Sequence, residues 1–166
     1  MNELHLYTIS GDYTKFLYQF DSKVPLEHEN TGYRKFVGVV LHIDGIKYFA
    51  PMSSPKPKHS KLPESMPDIY KICKGAHGII NLNNMIPVPD SCVYKVDIAS
   101  EPDSKYRILL EKQAREIKDK SDLIQKKASK LYRLVCSDKI PKLNNRCCDY
   151  KKLETLADEY LDDGNR

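Results

Sequence analysis

The chain has 166 residues, 40% hydrophobic and 30% charged, and its 27 Lys and Arg against 23 Asp and Glu leave a net charge of +4. That balance excludes a disordered polypeptide and predicts about one domain, spanning 1–166. Five cysteines with no Cys-x-x-Cys spacing exclude a disulfide scaffold and the usual zinc and redox motifs.

No apolar run approaches the roughly 18 residues of a membrane span. The opening Met1–Ser10 lacks the basic-then-apolar layout of a secretion signal, so a cytoplasmic protein is expected. In chain order, Leu4–Ile9 alternates and predicts a strand. Ser10-Gly11-Asp12 then predicts a turn and N-cap for a helix over Tyr13–Phe20, stopped by Lys23-Val24-Pro25. Leu26–Tyr33 reads as a polar loop. Phe36–Ile43 and Ile46–Ala50 are β-rich runs joined by Asp44-Gly45, the pattern of a type I′ hairpin. Pro51–Lys61 follows. With Pro51, Pro55 and Pro57 it should be a stiff, extended, exposed loop that forbids a helix. Ile79–Leu82 and Cys92–Ile98 predict further strands, linked by Met85–Pro89.

The rest is helical. A stripe of Tyr106, Leu109, Leu110, Ala114 and Ile117 follows Pro102-Asp103-Ser104. A second, Ile124, Ala128, Leu131 and Val135, follows Ser121-Asp122, and a third, Leu153, Leu156, Ala157 and Tyr160, follows Asp149. The expected fold is α+β: a small antiparallel sheet, sheet-rich over 1–100, with helices over 103–162 packed on or beside it.

Charge is segregated. Residues 105–152 carry fifteen bases and six acids, a local +9, whereas 153–166 are locally −4. Clustered Lys and Arg attract phosphate and displace counterions, so this segment is a candidate polyanion surface. Taken alone, the run is more simply explained by a solvated helix face. The five histidines (His5, His28, His42, His59 and His77) are scattered, no His-Glu-x-x-His occurs, and seven glycines form no phosphate cradle. No metal or other cofactor is expected.

Ser53-Ser54-Pro55-Lys56 carries the chemistry of interest. Its Ser-x-x-Lys spacing matches penicillin-interacting serine enzymes, but Pro57 biases Lys56 away from a helix, and Lys-Thr-Gly and Ser-Asp-Asn are missing; that reading is rejected. Hydroxyls and the ammonium groups of Lys56, Lys58 and Lys61 are good phosphate contacts, and an ammonium neutralises charge on a transferring phosphoryl group. RNA brings its own nucleophile, the 2′-OH, so a protein that holds it in line needs neither metal nor covalent intermediate. A polar linker with incidental lysines is the plain alternative.

The run Gly38–Lys56 resembles the ToxN/AbiQ family, the endoribonuclease toxins of type III toxin–antitoxin systems. Leu6–Ser10 is similar to that family's first strand, Ile80–Pro87 to its central sheet segment and Tyr106–Gln113 to its long helix. The resemblance implies a MazF/Kid-like core, a strongly twisted antiparallel sheet with added helices. It also implies metal-independent RNA cleavage that leaves a 2′,3′-cyclic phosphate and a 5′-hydroxyl. The implied partner is a small pseudoknot RNA antitoxin, cut from repeats by the toxin and held in a closed protein–RNA assembly. The implied setting is abortive infection of phage-infected cells or plasmid maintenance; no membrane or DNA partner is expected. By position, Ser53 and Ser54 fall on the family's active-site hydroxyl pair and Lys56 on its loop lysine. Ser53 departs from the Thr more common among relatives. Arg34 falls where relatives place a basic residue in the RNA groove, and Tyr33 and Lys35 beside it are candidates for stacking and phosphate contact. His59 is a candidate RNA contact and a candidate general base titrating near neutrality, with a plain solvent-exposed His as the alternative. Lys118, Lys120, Lys126, Lys127 and Lys130 would together line a groove for the antitoxin backbone. Two readings from other classes stand beside this one: a non-catalytic RNA-binding module and a protein-neutralised toxin dimer.

Overall fold

In a computed structural model of the protein, residues 2–27 and 33–164 are described. Part of the polar loop expected over Leu26–Tyr33, including His28, therefore lies outside the described residues. The hairpin forms as its sequence dictates. β2 (Phe36–Ile43) and β3 (Ile46–Ser53) meet at Asp44 (φ 49°) and Gly45 (φ 81°), the two positive φ angles a type I′ turn requires. β3 runs longer than expected because Pro51 stands where the strand leaves one partner for another. Phe36 of β2 pairs with Pro51, whereas Met52 and Ser53 pair with Ile80 and Ile79 of β5 (Ile79–Asn81).

β1 (His5–Ile9) joins the other side of β2 and pairs in turn with β7 (Val93–Lys95). β4 (Ile69–Lys71) pairs with β5, and β6 (Ile86–Pro87) adds to β3. All pairings are antiparallel, in the order β4-β5-β3-β2-β1-β7 with β6 beside β3. Gly38 is required where β2 pairs with Phe49 of β3, because a Cβ there would collide with the Phe49 ring.

α1 (Gly11–Tyr18) starts and ends earlier than the apolar spacing suggested; Tyr13 and Leu17 are buried, but Phe20 lies beyond the helix and is exposed. α2 (Ser104–Asp119) is capped by Asp103, whose carboxylate accepts from the N–H groups of Lys105 and Tyr106 at 3.0 and 3.2 Å. α3 (Ser121–Cys136) follows after one residue, with Ile124, Ala128, Leu131 and Val135 buried as their spacing demands. A short α4 (Pro141–Arg146) was not expected, and α5 (Tyr150–Asp162) is capped by Asp149.

One cluster of buried side chains runs from Leu4 to Ala157 and draws on the sheet and on all five helices. Where α3 and α5 meet the sheet, Glu154 accepts from the hydroxyls of Tyr48 (2.7 Å) and Tyr132 (2.6 Å), and the Tyr132 and Tyr150 rings stack. The expectation of a helix-free segment over Pro51–Lys61 is overturned: Pro57–Lys61 is a 3-10 helix. Proline breaks helices from inside, but at the first position its fixed φ suits the turn and its missing N–H costs nothing.

Candidate active site and basic groove

Ser53 ends β3, with its backbone paired to Ile79 and its hydroxyl oxygen accepting a hydrogen bond from Asn81 Nδ2 at 2.8 Å. With that lone pair taken, the Ser53 O–H remains available to donate. Ser54 and Lys56 follow, both exposed. Lys56 is extended (φ −135°, ψ 149°), as the following proline demands, so it does not share a helical face with Ser53.

Lys56 is held by its backbone. Its N–H donates to His59 Nδ1 (3.2 Å) and its carbonyl accepts the His59 N–H (2.9 Å), a reciprocal clasp over three residues. His59, expected at the RNA surface, is buried at 1% exposure, because the 3-10 helix turns its ring inward. Burial, and then the charges of Lys56 and Lys58, lower its pKa below the ordinary value, which favours the neutral ring that Nδ1 needs to accept. Neither direct RNA contact nor general-base chemistry suits a ring buried there; its contacts are with the Lys56 backbone. Lys58 and Lys61, on the same short helix, are exposed.

Side chains from elsewhere wall this loop, and nothing local in the sequence marked them. Lys71 is buried, and its ammonium donates to the carbonyls of Ser60 (3.1 Å) and Leu62 (2.9 Å) and pairs with Glu64 (3.1 Å). Gly75 and Gly78, both at φ 96°, press their backbones against the loop. A Cβ on Gly75 would lie 2.8 Å from the His59 carbonyl, and one on Gly78 would run into the Ser53 carbonyl.

The segment before β2 comes alongside. The Lys35 carbonyl accepts the Met52 N–H at 2.9 Å, which brings Arg34 and Lys35 to the Ser53 end of β3. Tyr33 is 64% exposed, as a stacking platform must be, whereas Tyr7 and Tyr106 pack on the core. Arg34 is half-buried, with Nε donating to the Leu26 carbonyl at 3.0 Å. The Lys35 ammonium lies 5.8 Å from the Tyr106 ring centroid; burial lowers its pKa, against the opposing charge of Glu101.

The five helical lysines do not share one surface. Lys126 and Lys130 line a groove of about 960 Å³ between α3 and β2, joined by Arg133, His42 and Lys47. Positions 126, 130 and 133 fall on one helical face, a spacing that would have found Arg133; Lys127 lies about 100° around the helix. Lys127 is instead half-buried near Glu64 and Asp68. Lys118 pairs with Glu3 at 3.5 Å, and Lys120 sits at the α2–α3 junction. Lys47 and Ser53 lie at opposite ends of β3, about 20 Å apart at ~3.3 Å per residue. Groove and hydroxyl loop are therefore separate surfaces.

A small antiparallel sheet carrying hydroxyls and an exposed lysine at one strand end, with a basic groove elsewhere, defines a protein built to engage a polyanion. The family described as "Toxin ToxN, type III toxin-antitoxin system" matches residues 5–158, and the chain belongs to it. It is 34% identical to the endoribonuclease ToxN of Pectobacterium atrosepticum over 97% of this chain and 94% of that protein. The solved structure of AbiQ, a lactococcal anti-phage endoribonuclease of a type III system, superposes with a TM-score of 0.86 at 28% identity, covering 97% of this chain and 99% of that one. A solved type III toxin described as selectively inhibited by a non-coding RNA pseudoknot gives 0.84 at 32% identity, covering 96% and 98%. Both likenesses embrace the α+β architecture with its antiparallel sheet.

Proposed function

We propose that this chain is a cytoplasmic endoribonuclease toxin, acting as one domain, that cleaves RNA without a metal ion. The observation that carries the reading is the loop itself. An Asn81-bonded hydroxyl at Ser53 is followed by exposed Ser54 and Lys56, and the Lys56 backbone is clasped by His59. Ser53 and Ser54 donate to the non-bridging oxygens of the scissile phosphate and hold it in line. The 2′-oxygen attacks phosphorus, Lys56 stabilises the phosphorane charge, and the P–O5′ bond breaks. The 2′-OH proton leaves to solvent and the departing 5′-oxygen gains one, giving a 2′,3′-cyclic phosphate and a 5′-hydroxyl.

Tyr33, Arg34, Lys35, Lys58 and Lys61 flank the loop and engage the substrate strand. The groove of Lys126, Lys130 and Arg133, distant from the loop, binds the backbone of a folded RNA antitoxin. The pseudoknot inhibition described for a solved relative supports a pseudoknot in that place, and two surfaces about 20 Å apart suit a closed assembly in which each RNA bridges two protein chains. Phage defence by abortive infection is the setting that the anti-phage relative supports.

The test is Lys56→Ala. Single-turnover cleavage of an RNA substrate should fall at least about 100-fold, while RNA affinity at fixed salt changes less than about tenfold. A wild-type protein that binds RNA and cuts none, with Lys56→Ala lowering only affinity, would leave a binding module in place of an enzyme.

A further inference from the structure

The turn that walls the hydroxyl loop carries a second constellation, on its α2 side. Cys73, His77 and Glu116 each offer one ligand atom, and the thiol, imidazole and carboxylate atoms all lie within 4.8 Å of one another. Two come from the turn after β4 and the third from α2, 43 residues beyond Cys73 in sequence, so no motif announces the grouping. His77 Nδ1 is buried and has no hydrogen-bond partner among the described residues. A buried acceptor left unpaired demands an explanation.

We propose that Cys73, His77 and Glu116 form a Zn²⁺ site that fastens this turn to α2. The donor set selects the ion: a thiolate and an imidazole favour zinc, whereas Mg²⁺ and Ca²⁺ take oxygen ligands. Bond lengths of about 2.3 Å to sulfur and about 2.0–2.2 Å to nitrogen and oxygen set tetrahedral ligand atoms ~3.5 Å apart. Closure from separations of at most 4.8 Å is therefore no more than about 1.3 Å, which side-chain rotation supplies, and water completes the fourth position. On binding, Cys73 loses its thiol proton to solvent.

The surroundings already orient the ligands. Glu116 Oε1 accepts from the Cys73 N–H at 2.8 Å and from the Tyr70 hydroxyl at 3.3 Å, and Gln113 Nε2 donates to the His77 carbonyl at 2.8 Å. Such outer hydrogen bonds hold metal ligands in register. The ion's role is positional: between Cys73 and His77 lies Gly75, against the His59 carbonyl, and Gly78 follows against that of Ser53. A cation tying the turn to α2 stiffens the wall behind the loop.

The experiment titrates Zn²⁺ into the full-length protein, reduced and stripped of metal, against a chromophoric chelator, and repeats the titration with Co²⁺. One equivalent of zinc per chain is expected, with a thiolate-to-cobalt charge-transfer band and a raised melting temperature in zinc. Cys73→Ser, His77→Gln and Glu116→Gln should each weaken zinc binding at least about tenfold, with Cys73→Ser abolishing the charge-transfer band. Cys136→Ser, which removes the other exposed thiol, should change neither. Failure to compete with the chelator, or equal binding by Cys73→Ser with the band retained, overturns the proposal. None of these readouts depends on RNA cleavage.

Discussion

Lys56 owes its place to backbone geometry: Pro57 forces it extended, and His59 grips its N–H. That grip is pH-dependent, because only an unprotonated Nδ1 accepts. The folded ring's pKa lies below the unfolded value of about 6.5, so as pH falls the unfolded chain takes up the proton first. The stabilisation is therefore complete above the unfolded value and is lost as pH falls through the lower folded one. Urea midpoints of wild type and His59→Asn, measured from pH 8 to pH 5, should show the wild type losing its advantage toward the acid end. A constant difference would mean that the ring does not titrate there. Asn81 acts on Ser53 in the same indirect way. Asn81→Ala frees the hydroxyl to rotate and should slow single-turnover cleavage by about tenfold, roughly the 1.4 kcal/mol of one hydrogen bond, with little change in RNA affinity.

At the scale of elements, the turn from Ile72 to Gly78 and the 3-10 helix after β3 support each other through bare backbone. Gly78→Ala puts a methyl group into the Ser53 carbonyl at a positive φ, so the strand end must shift. A loss of about 2–3 kcal/mol is expected, seen as a lowered denaturant midpoint, and cleavage should suffer beyond what that loss explains. α3 gives a separable test. Replacing Lys126, Lys130 and Arg133 together with Gln should weaken antitoxin binding and make log K against log salt shallower by about 2 to 3. Lys127→Gln, outside the groove lining, should leave that slope unchanged.

Across the whole molecule, distant segments are tied by a few polar contacts inside an apolar core. Glu154 joins α5 to β3 and α3 through two tyrosine hydroxyls, and Asp68, buried at 2%, takes a bidentate pair from Arg146 at 3.0 and 3.2 Å. Glu154→Ala leaves the Tyr132 hydroxyl without its acceptor and the Tyr48 hydroxyl with only the Tyr150 carbonyl at 3.4 Å, and should cost about 1–3 kcal/mol by denaturant unfolding; a cost near zero would mean that water replaces the carboxylate. Tyr132, whose hydroxyl pKa burial and then Glu154 push up to about 12, should return toward its ordinary value in that variant.

Patterns completed within a few residues were legible in the chain. Asp44-Gly45 specifies its own turn, Asp103 and Asp149 cap the helices that follow them, and the apolar period of α3 names its buried face. The strands β4 and β6, at three and two residues, carry no period to read, and exist because β5 and β3 offer them partners. Ser53, Ser54 and Lys56 were reached from hydroxyl and ammonium chemistry and from resemblance. Asn81, Lys71, Gly75 and Gly78, which hold them, carry no local mark because their roles exist only across the fold. His59 shows the division most plainly. Its spacing from Lys56 is a matter of sequence, yet whether that ring meets solvent or the interior depends on which way the 3-10 helix packs. By itself the sequence determined the local elements, whose hydrogen bonds close within a few residues. The tertiary structure decided exposure, partners and the division of the basic residues among surfaces, since those depend on contacts between residues far apart in the chain.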